Sequence, residues 1–278
     1  MPKKPVIQSS DAVKAMHANY PSRVGVTFVT LVVLGGLSIW SLNTMDWPQI
    51  NRAGLRIIAN IFRSLRNPNT DWLWGTGPTG IFVQMYETVA IAFLGTLLGA
   101  ILALPFAFLS SRNITGKIPS FIGIVAVTLI RTFPVFVLGL MFVRVTGPGP
   151  FAGVMTIGIA SIGMMTKLYI ESIEDIDKGV LEALDATGAT MFQKIRFGII
   201  PQLSANFISN SIYRFEINVR NATILGLVGA GGIGATLLWA MSGYRWKDAG
   251  AALWGIIIVV LVIEVISTKI RKKLSSGE

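Results

Sequence analysis

The amino-acid sequence predicts an all-α integral membrane protein that crosses the bilayer six times. Charged residues make up 14% of the 278 residues and hydrophobic residues 52%, whereas soluble domains contain roughly 25% charged residues. Apolar runs of about 20 residues, the length that a helix needs to cross the hydrocarbon core, recur along the chain. Lysine and arginine are concentrated near the ends of these runs, as expected of segments that flank membrane spans.

Five runs are long and apolar enough to span a membrane, and a sixth is long enough but carries many polar residues. The five cover residues 24–42, 81–109, 121–145, 151–170 and 249–266, and the sixth covers residues 199–228. The first run follows basic residues, as the apolar region of a signal peptide does. It is longer than such a region and no A-x-A cleavage pattern follows it, so we interpret residues 23–43 as an uncleaved span.

Six spans place both chain termini on the same side of the membrane. Both termini are rich in basic residues, and the positive-inside rule assigns such segments to the cytoplasm. The sequence therefore predicts a membrane core flanked by polar segments. The cytoplasmic tails are residues 1–22 and 271–278, the periplasmic segment is 44–79, and the core is 80–270 with a cytoplasmic loop at 171–200.

The predicted periplasmic segment has an amphipathic pattern. Apolar residues such as Ile58, Ile61 and Phe62 alternate with four arginines. These are Arg52, Arg56, Arg63 and Arg66. The pattern is typical of a helix that lies on a membrane surface with its apolar face in the lipid.

The second apolar run contains small residues at a spacing of four, which are Gly95, Gly99 and Ala103. Small residues at this spacing let another helix approach closely. The approaching helix belongs either to a second subunit or to the same chain, and the sequence leaves both possibilities open.

Several activities lack the residues that they need. The chain has no cysteine and one histidine, His17, which we interpret as a solvated residue of the N-terminal tail. Disulfides, thiolate metal sites and Ser/His/Asp triads are therefore not expected. The formal net charge of +10 arises from basic residues beside the spans, so we expect no nucleic-acid partner.

Two glycine-containing motifs do not qualify as nucleotide sites. Lys117 follows Gly116, but Ser111 occupies the position of the first glycine of a Walker A motif and Ile118 that of its hydroxyl residue. ATP hydrolysis by that route is therefore not expected. The G-x-G-x-x-G pattern at residues 229–234 lacks a preceding strand and an acidic residue about 20 positions later. We expect its glycines to form a bend at the outer end of the membrane core.

The predicted cytoplasmic loop is long, charged and patterned. Its first half is a helix-prone acidic stretch, interrupted at Gly188, that contains Asp175, Asp177, Glu182 and Asp185. Thr190 and Gln193 have the spacing of a capping box, in which two side chains satisfy free backbone N–H groups at the start of a helix. The sequence thus predicts two short helices at an angle, followed by Pro201 at the start of the next span.

This loop resembles the EAA loop of ABC-importer permeases, whose pattern is Glu-Ala-Ala, three residues, Gly, nine residues and Ile-x-Leu-Pro. Glu182, Ala183, Gly188 and Pro201 match it in type and spacing, and Leu184, Gly198 and Ile200 depart from it. The resemblance implies a coupling helix that docks into a groove of an ATP-hydrolysing subunit. The coupling residues would be Glu182, Ala183, Asp185, Gly188 and Pro201. The alternative is an ordinary amphipathic cytoplasmic loop.

The run at residues 199–228 carries polar residues in a helical pattern. Asn206, Asn210, Arg214 and Asn218 recur every four residues and form a stripe. Glu216 and Arg220 lie on a neighbouring flank at i,i+4 spacing. Arg131 lies within the third apolar run, shortly before a break at Pro134.

Ionisable groups at membrane depth are costly and normally face protein or water. Arginine suits oxyanions because its planar fork donates two hydrogen bonds. We therefore predict a substrate pathway for an anion. Its residues are Arg131, Asn210, Arg214, Glu216, Asn218 and Arg220. Alternatively, Arg214 and Arg220 pair with Glu216 and only brace the helix.

A second resemblance covers roughly residues 80–270. The runs 213–216 and 218–220 and the glycine-rich runs 229–234 and 147–153 resemble the signature of phosphonate-type ABC permeases. The resemblance implies a type I ABC importer permease in the bacterial inner membrane, which imports a phosphonate, phosphite or related phosphorus oxyanion by alternating access. It further implies a homodimer, two ATP-binding subunits and a periplasmic substrate-binding protein.

Two other classes of protein could account for parts of this sequence. A secondary anion transporter driven by an ion gradient could use Glu87 or Glu264 as a titrating group, but six spans without an evident internal repeat count against it. A membrane enzyme acting on phosphorylated lipid would need a nucleophile or a carboxylate cluster, and the sequence contains no such cluster.

Overall fold

The structure, a computed structural model, describes residues 24–45, 52–75, 77 and 80–276. Every regular element in these ranges is a helix, which confirms the predicted all-α fold class. The chain separates into two compact units, Met1–Leu55 and Arg56–Glu278. The predicted tail at residues 1–22, with His17, lies outside the described residues.

The first unit contains one long apolar helix, α1, at Val24–Thr44. Its side chains are exposed on every side, and they include Phe28, Leu31 and Trp40. A helix that is hydrophobic all round is typical of a membrane span. Its length and composition agree with the first predicted span.

The remaining helices differ widely in length. α2, Arg52–Arg66, crosses the boundary between the units, and the others lie in the second unit. They are α3 Thr70–Leu73, α4 Ile81–Ser110, α5 Arg112–Thr115, α6 Lys117–Thr132, α7 Val135–Thr146, α8 Pro150–Glu174, α9 Lys178–Ala186, α10 Met191–Gln193, α11 Ile200–Gly226, α12 Ile233–Ser242 and α13 Trp246–Ser276. A π-helical turn, Lys194–Ile199, joins α10 to α11 without a break.

Four of the described helices, α1, α4, α8 and α13, are long and apolar enough to cross a membrane. The bent pair α6 and α7 makes a fifth span if the two are counted together. α11 has 27 residues but is more polar than these helices. The count of six spans, which includes α11, therefore stays a prediction.

The third apolar run, residues 121–145, is broken at the predicted position beside Pro134. The chain bends by 77° between α6 and α7. Phe133, between the two helices, has the extended conformation φ −78° and ψ 120°. Proline at position 134 explains the bend, because it lacks an N–H group for the helix ladder and disfavours helical geometry at the preceding residue.

The most extensive helix packing in the second unit is between α4 and α8, and it depends on small residues. A Cβ atom on Gly95 would lie 2.7 Å from Ile157, and one on Gly99 would lie 2.7 Å from Cβ of Ser161. Ala103 is fully buried on the same side of α4. The small residues at this spacing therefore serve packing within the chain, one of the two possibilities that the sequence left open.

The second unit has two ends, a glycine end and a loop end, which differ in the elements that they contain. The glycine end holds residues 226–234 together with α3, α12 and the first turns of α4 and α13, whose apolar side chains pack around Ile81 and Ile233. The loop end holds α5, α9, α10 and the last turns of α8, packed around Tyr169 and Ile199.

Candidate functional site

A buried hydrogen-bond junction joins α4, α8 and α11. Asn218 of α11 is 1% exposed, and its Nδ2 group donates to Oγ1 of Thr96 at 2.9 Å and to Oγ of Ser161 at 2.8 Å. Its Oδ1 atom accepts from Nδ2 of Asn221 at 3.4 Å. Buried amides are costly unless they are hydrogen-bonded, so this junction fixes the rotation of α11. Asn218, a predicted pathway residue, therefore lies between helices rather than on an open surface.

Two arginines approach the same stretch of α8 from opposite neighbours. Arg214 of α11 is half-buried, and its Nε group donates to Oγ of Ser161 at 3.4 Å. The stem of Arg131, near the end of α6, crosses the backbone of Gly163, where a Cβ atom would lie 2.1 Å from Cγ of Arg131. Only a glycine leaves this space, so Gly163 is required for the placement of Arg131.

Neither of these arginines forms an ion pair with a carboxylate among the described residues. Both side chains contact α8 within two residues of each other, Arg214 at Ser161 and Arg131 at Gly163. Two like charges without a compensating acid are unfavourable where water is scarce. Two cations beside α8 are therefore not balanced by an acid of the described chain.

The other predicted pathway charges are balanced by one another. Glu216 is buried and accepts from Nη2 of Arg220 at 3.0 Å and from Nη2 of Arg271 at 3.1 Å. Arg220 also reaches Oε2 of Glu264 at 3.3 Å. Two acids and two arginines therefore form a neutral network that braces α11 against α13.

This network agrees with the bracing alternative for Arg220 but not for Arg214, which contacts Ser161 instead. Sequence reasoning missed Arg271, which was assigned to the basic C-terminal cluster. It is 55 residues from Glu216, and no local signal connects the two positions.

Asn210 lies further along α11, in a cleft at the loop end. Its Nδ2 group donates to Oγ of Ser172 at 3.3 Å. The cleft has a volume of about 610 Å³, and its lining includes Asn206 and the carboxylates of Glu171, Glu174 and Asp175. The polar stripe of α11 therefore begins in an acidic cleft and continues to the basic group around Arg214.

The predicted coupling loop forms a compact, capped structure. Asp177 caps α9 by accepting from the backbone N–H of Gly179 at 2.9 Å. α9 ends in a Schellman motif, in which Ala189 N–H donates to Leu184 O at 3.1 Å and Gly188 N–H donates to Asp185 O at 2.9 Å. Gly188 has φ +73°, a left-handed conformation that favours glycine.

The capping box that Thr190 and Gln193 predict is present at the start of α10. The predicted second short helix, α10, is continuous with the next span, because the π-helical turn joins it to α11. Lys194 in this turn forms an ion pair with Asp185. Pro201 lies in the first turn of α11, directly after the π-helical turn.

Two of the three departures from the EAA pattern, Leu184 and Gly198, contact each other. A Cβ atom on Gly198 would lie 2.5 Å from Cδ1 of Leu184. The pattern has alanine and isoleucine at these positions, so a larger residue at one compensates for a smaller residue at the other. This packing joins α9 to the π-helical turn.

The loop also presents an uncovered surface. Glu182, Ala183, Met191, Phe192 and Phe197 are exposed, and the two phenylalanines have exposed fractions of 69% and 66%. A hollow of about 330 Å³ lies beside Gly188 and Phe197. Exposed aromatic side chains clustered on one loop are typical of an interaction surface.

At the glycine end, the expected bend is present. Gly229, Gly231 and Gly232 have φ values of +85°, +83° and +77°. The turn is held by Oε1 of Glu87, which accepts from the N–H of Gly232 at 3.0 Å, and by Oγ1 of Thr88, which accepts from the next N–H at 2.9 Å. These glycines end α11 and start α12, and no strand precedes them in the described chain.

Long apolar helices with charged groups between them define a multi-pass membrane transport protein. The chain belongs to the family of binding-protein-dependent transport system inner membrane components, whose model matches residues 95–276. Membership makes the chain a permease, the transport component of such a system. It also implies a substrate-binding protein and an ATP-hydrolysing subunit as partners.

Individual relatives agree with this family. The chain is 34% identical to the phosphite transport system permease protein PtxC of Stutzerimonas stutzeri, over 68% of this chain and 69% of that protein. It is 29% identical to the phosphate-import permease protein PhnE of Mycolicibacterium smegmatis, over 92% of this chain and 54% of that protein.

A solved structure shows the same fold. A structure of the MetNI methionine ABC transporter in inward-facing conformations superimposes with a TM-score of 0.62 at 20% sequence identity, over 72% of this chain and 99% of that chain. The likeness confirms the type I ABC importer permease fold that the second resemblance implied.

Proposed function

We propose that this permease imports a phosphorus oxyanion, such as a phosphonate, phosphite or phosphate, and that Arg131 and Arg214 form part of its passage. The uncompensated charge of this arginine pair is the observation that carries the proposal. An anion with one or two negative charges would relieve the repulsion between the guanidinium groups, and each planar fork can donate two hydrogen bonds to a tetrahedral oxyanion. The transport of phosphite and phosphate by the two relatives supports the same class of substrate.

Glu216, Asn218 and Arg220 receive a different role in this proposal. Their hydrogen bonds and ion pairs are made within the chain, so they position Arg214 by holding α11 against α4, α8 and α13. Asn210 lies towards the acidic cleft at the loop end. Negative potential there would disfavour the return of an anion that has passed the arginines.

We assign the ATP hydrolysis that drives transport to other subunits. We place the loop end in the cytoplasm, where α9 and α10 dock on an ATPase through Glu182, Phe192 and Phe197. Gly116 starts α6 with φ +83° rather than opening a phosphate-binding loop after a strand, which supports the absence of an ATPase site in this chain. The complete importer would contain two copies of the permease, two ATPase subunits and an external binding protein.

The same loop supplies a mechanical connection to the passage. Asp185 pairs with Lys194, and Leu184 packs on Gly198, so a displacement of α9 is carried into the π-helical turn. That turn continues directly into α11, which bears Arg214. Closure of the ATPases would therefore move one of the two arginines relative to the other and alternate the access of the passage.

The test is oxyanion uptake into proteoliposomes that contain the permease, its ATPase and its binding protein. We expect uptake to require ATP, and Arg214→Gln to reduce it about tenfold or more, because hydrogen bonds to charged groups are worth about 1.5–3 kcal/mol. Arg144→Gln is the matched control, since Arg144 is exposed at the end of α7. Uptake driven by an ion gradient without ATP would instead establish a secondary transporter. Unchanged uptake by Arg214→Gln would restrict Arg214 to a bracing role.

A further inference from the structure

A basic cleft lies at the glycine end, on α2 and α13, which do not carry the two arginines of the passage. It has a volume of about 660 Å³, within the range of small-molecule sites. Arg63 and Arg66 of α2 form one wall, and Trp246 and Lys247 at the start of α13 form the other. Arg63, Arg66 and Lys247 are exposed.

The charge of this cleft is uncompensated. None of its three cations forms an ion pair with a described residue, and no carboxylate is among the residues that line it. Asp248 follows Lys247 in the chain, but it is 5% exposed and is already paired with Arg245. It also accepts from Nδ2 of Asn69 at 2.7 Å. The neighbouring acid is therefore committed elsewhere.

The cleft is held in shape by packing between its two walls. Nε1 of Trp254 donates to the carbonyl of Leu65 at 2.7 Å, and a Cβ atom on Gly250 would lie 2.3 Å from the carbonyl oxygen of Ser64. The last turn of α2 is thus fixed against the first turns of α13. Asn60 and Arg63 of α2 line the cleft at a spacing of three residues and share one helix face, and Asn67 follows directly after the helix.

We infer that this cleft binds a phosphate-type oxyanion group, either free at the glycine end or as the headgroup of an anionic phospholipid. Three cations set the sign of the ligand, and two guanidinium forks favour phosphate oxygens over a halide. The amides of Asn60 and Asn67 add hydrogen-bond donors beside them. The inference does not rest on the proposed transport function, because the ligand is identified from the cleft alone.

The experiment uses the full chain in nanodiscs. In phosphatidylcholine alone, binding of radiolabelled inorganic phosphate is measured by scintillation proximity at low and high salt. In nanodiscs that also contain phosphatidylglycerol, the retained lipid is measured by native mass spectrometry. We expect the double variant Arg63→Gln/Lys247→Gln to weaken whichever ligand binds at least tenfold, and high salt to weaken it as well. Phosphate binding identifies a free oxyanion, and phosphatidylglycerol retention identifies a lipid headgroup.

Arg56→Gln is the matched control, because Arg56 is an exposed arginine of the same helix that does not line the cleft. It leaves binding unchanged if the inference is correct. Arg214→Gln separates the cleft from the passage: phosphate binding that Arg214→Gln removes and the double variant retains belongs to the passage, and it overturns the inference for free phosphate. The inference is overturned if neither ligand binds, or if the double variant binds as tightly as the unmodified chain while its melting temperature is unaltered. An equal loss in Arg56→Gln also overturns it.

Discussion

The neutral network around Glu216 allows a quantitative test of the brace between α11 and α13. Glu216→Gln removes the one carboxylate that Arg271 contacts in the described chain, and it leaves Arg220 with Glu264. The Glu216 side chain is 10% exposed and that of Arg271 29% exposed, so this pair is poorly screened by water. The side chain of Arg220 is 46% exposed, which lowers the expected loss on that side.

These exposures set the expected magnitude. Hydrogen bonds to charged groups contribute about 1.5–3 kcal/mol each, and breaking a buried pair by removing one partner costs about 3–5 kcal/mol. Because Arg220 keeps a second acid and is largely solvated, we expect a loss of about 2–4 kcal/mol, mostly from the uncompensated Arg271. The double variant Glu216→Gln/Arg271→Gln removes this charge and is expected to recover part of the loss.

The assay is reversible unfolding of the detergent-solubilised chain, monitored by circular dichroism. Glu171→Gln is the matched control, since its pair with Lys167 spans 3.6 Å and both side chains are more than half exposed. Surface pairs of this kind contribute about 0–1 kcal/mol. If Glu216→Gln is no less stable than Glu171→Gln, or if the double variant is less stable than the single one, the bracing role is refuted.

Three further predictions concern backbone and packing positions. Gly188→Ala is expected to lower stability by about 1–2 kcal/mol and to weaken ATPase docking, because its φ of +73° disfavours a Cβ atom. Gly179→Ala within α9 is the control, and it is expected to be neutral or stabilising in thermal melts. Gly198→Ala is expected to lower the free energy of unfolding by about 1–3 kcal/mol, because the added methyl group overpacks against Leu184. Adding Leu184→Ala to this variant is expected to relieve the overpacking. If the effects of the two substitutions are additive in a double-mutant cycle, the contact is contradicted. Asn218→Ala is expected to cost about 2–4 kcal/mol in thermal unfolding, since its two donated hydrogen bonds are buried, and a melting temperature equal to that of the unmodified chain would exclude the junction.

The charges of the membrane core divide into two functional groups. Glu216, Arg220, Glu264 and Arg271 neutralise one another and stabilise the helix packing. Arg131 and Arg214 are left without an acid, which is the condition for attracting an anionic substrate. The sequence pattern treats Arg131, Arg214, Glu216 and Arg220 alike, because each is an ionisable residue in a predicted span.

Local features of this protein were determined by the sequence itself. Composition and run length define a membrane protein, and the caps of α9 and α10 depend on residues within one or two turns of each other. The bend at residues 226–234 follows from glycine's access to positive φ. Gly188 was predicted to interrupt the loop helix for the same reason, and it does so with φ +73°.

Only the tertiary structure decided which distant residues meet. It pairs Glu216 with Arg271 across 55 residues, places Arg131 over Gly163, and fixes the last turn of α2 against α13. It also sets the size of the bend at the predicted break beside Pro134, which is 77° between α6 and α7. Ion pairs and close backbone contacts depend on how helices pack in three dimensions, and helical periodicity specifies the face of a residue but not the helix that this face will meet.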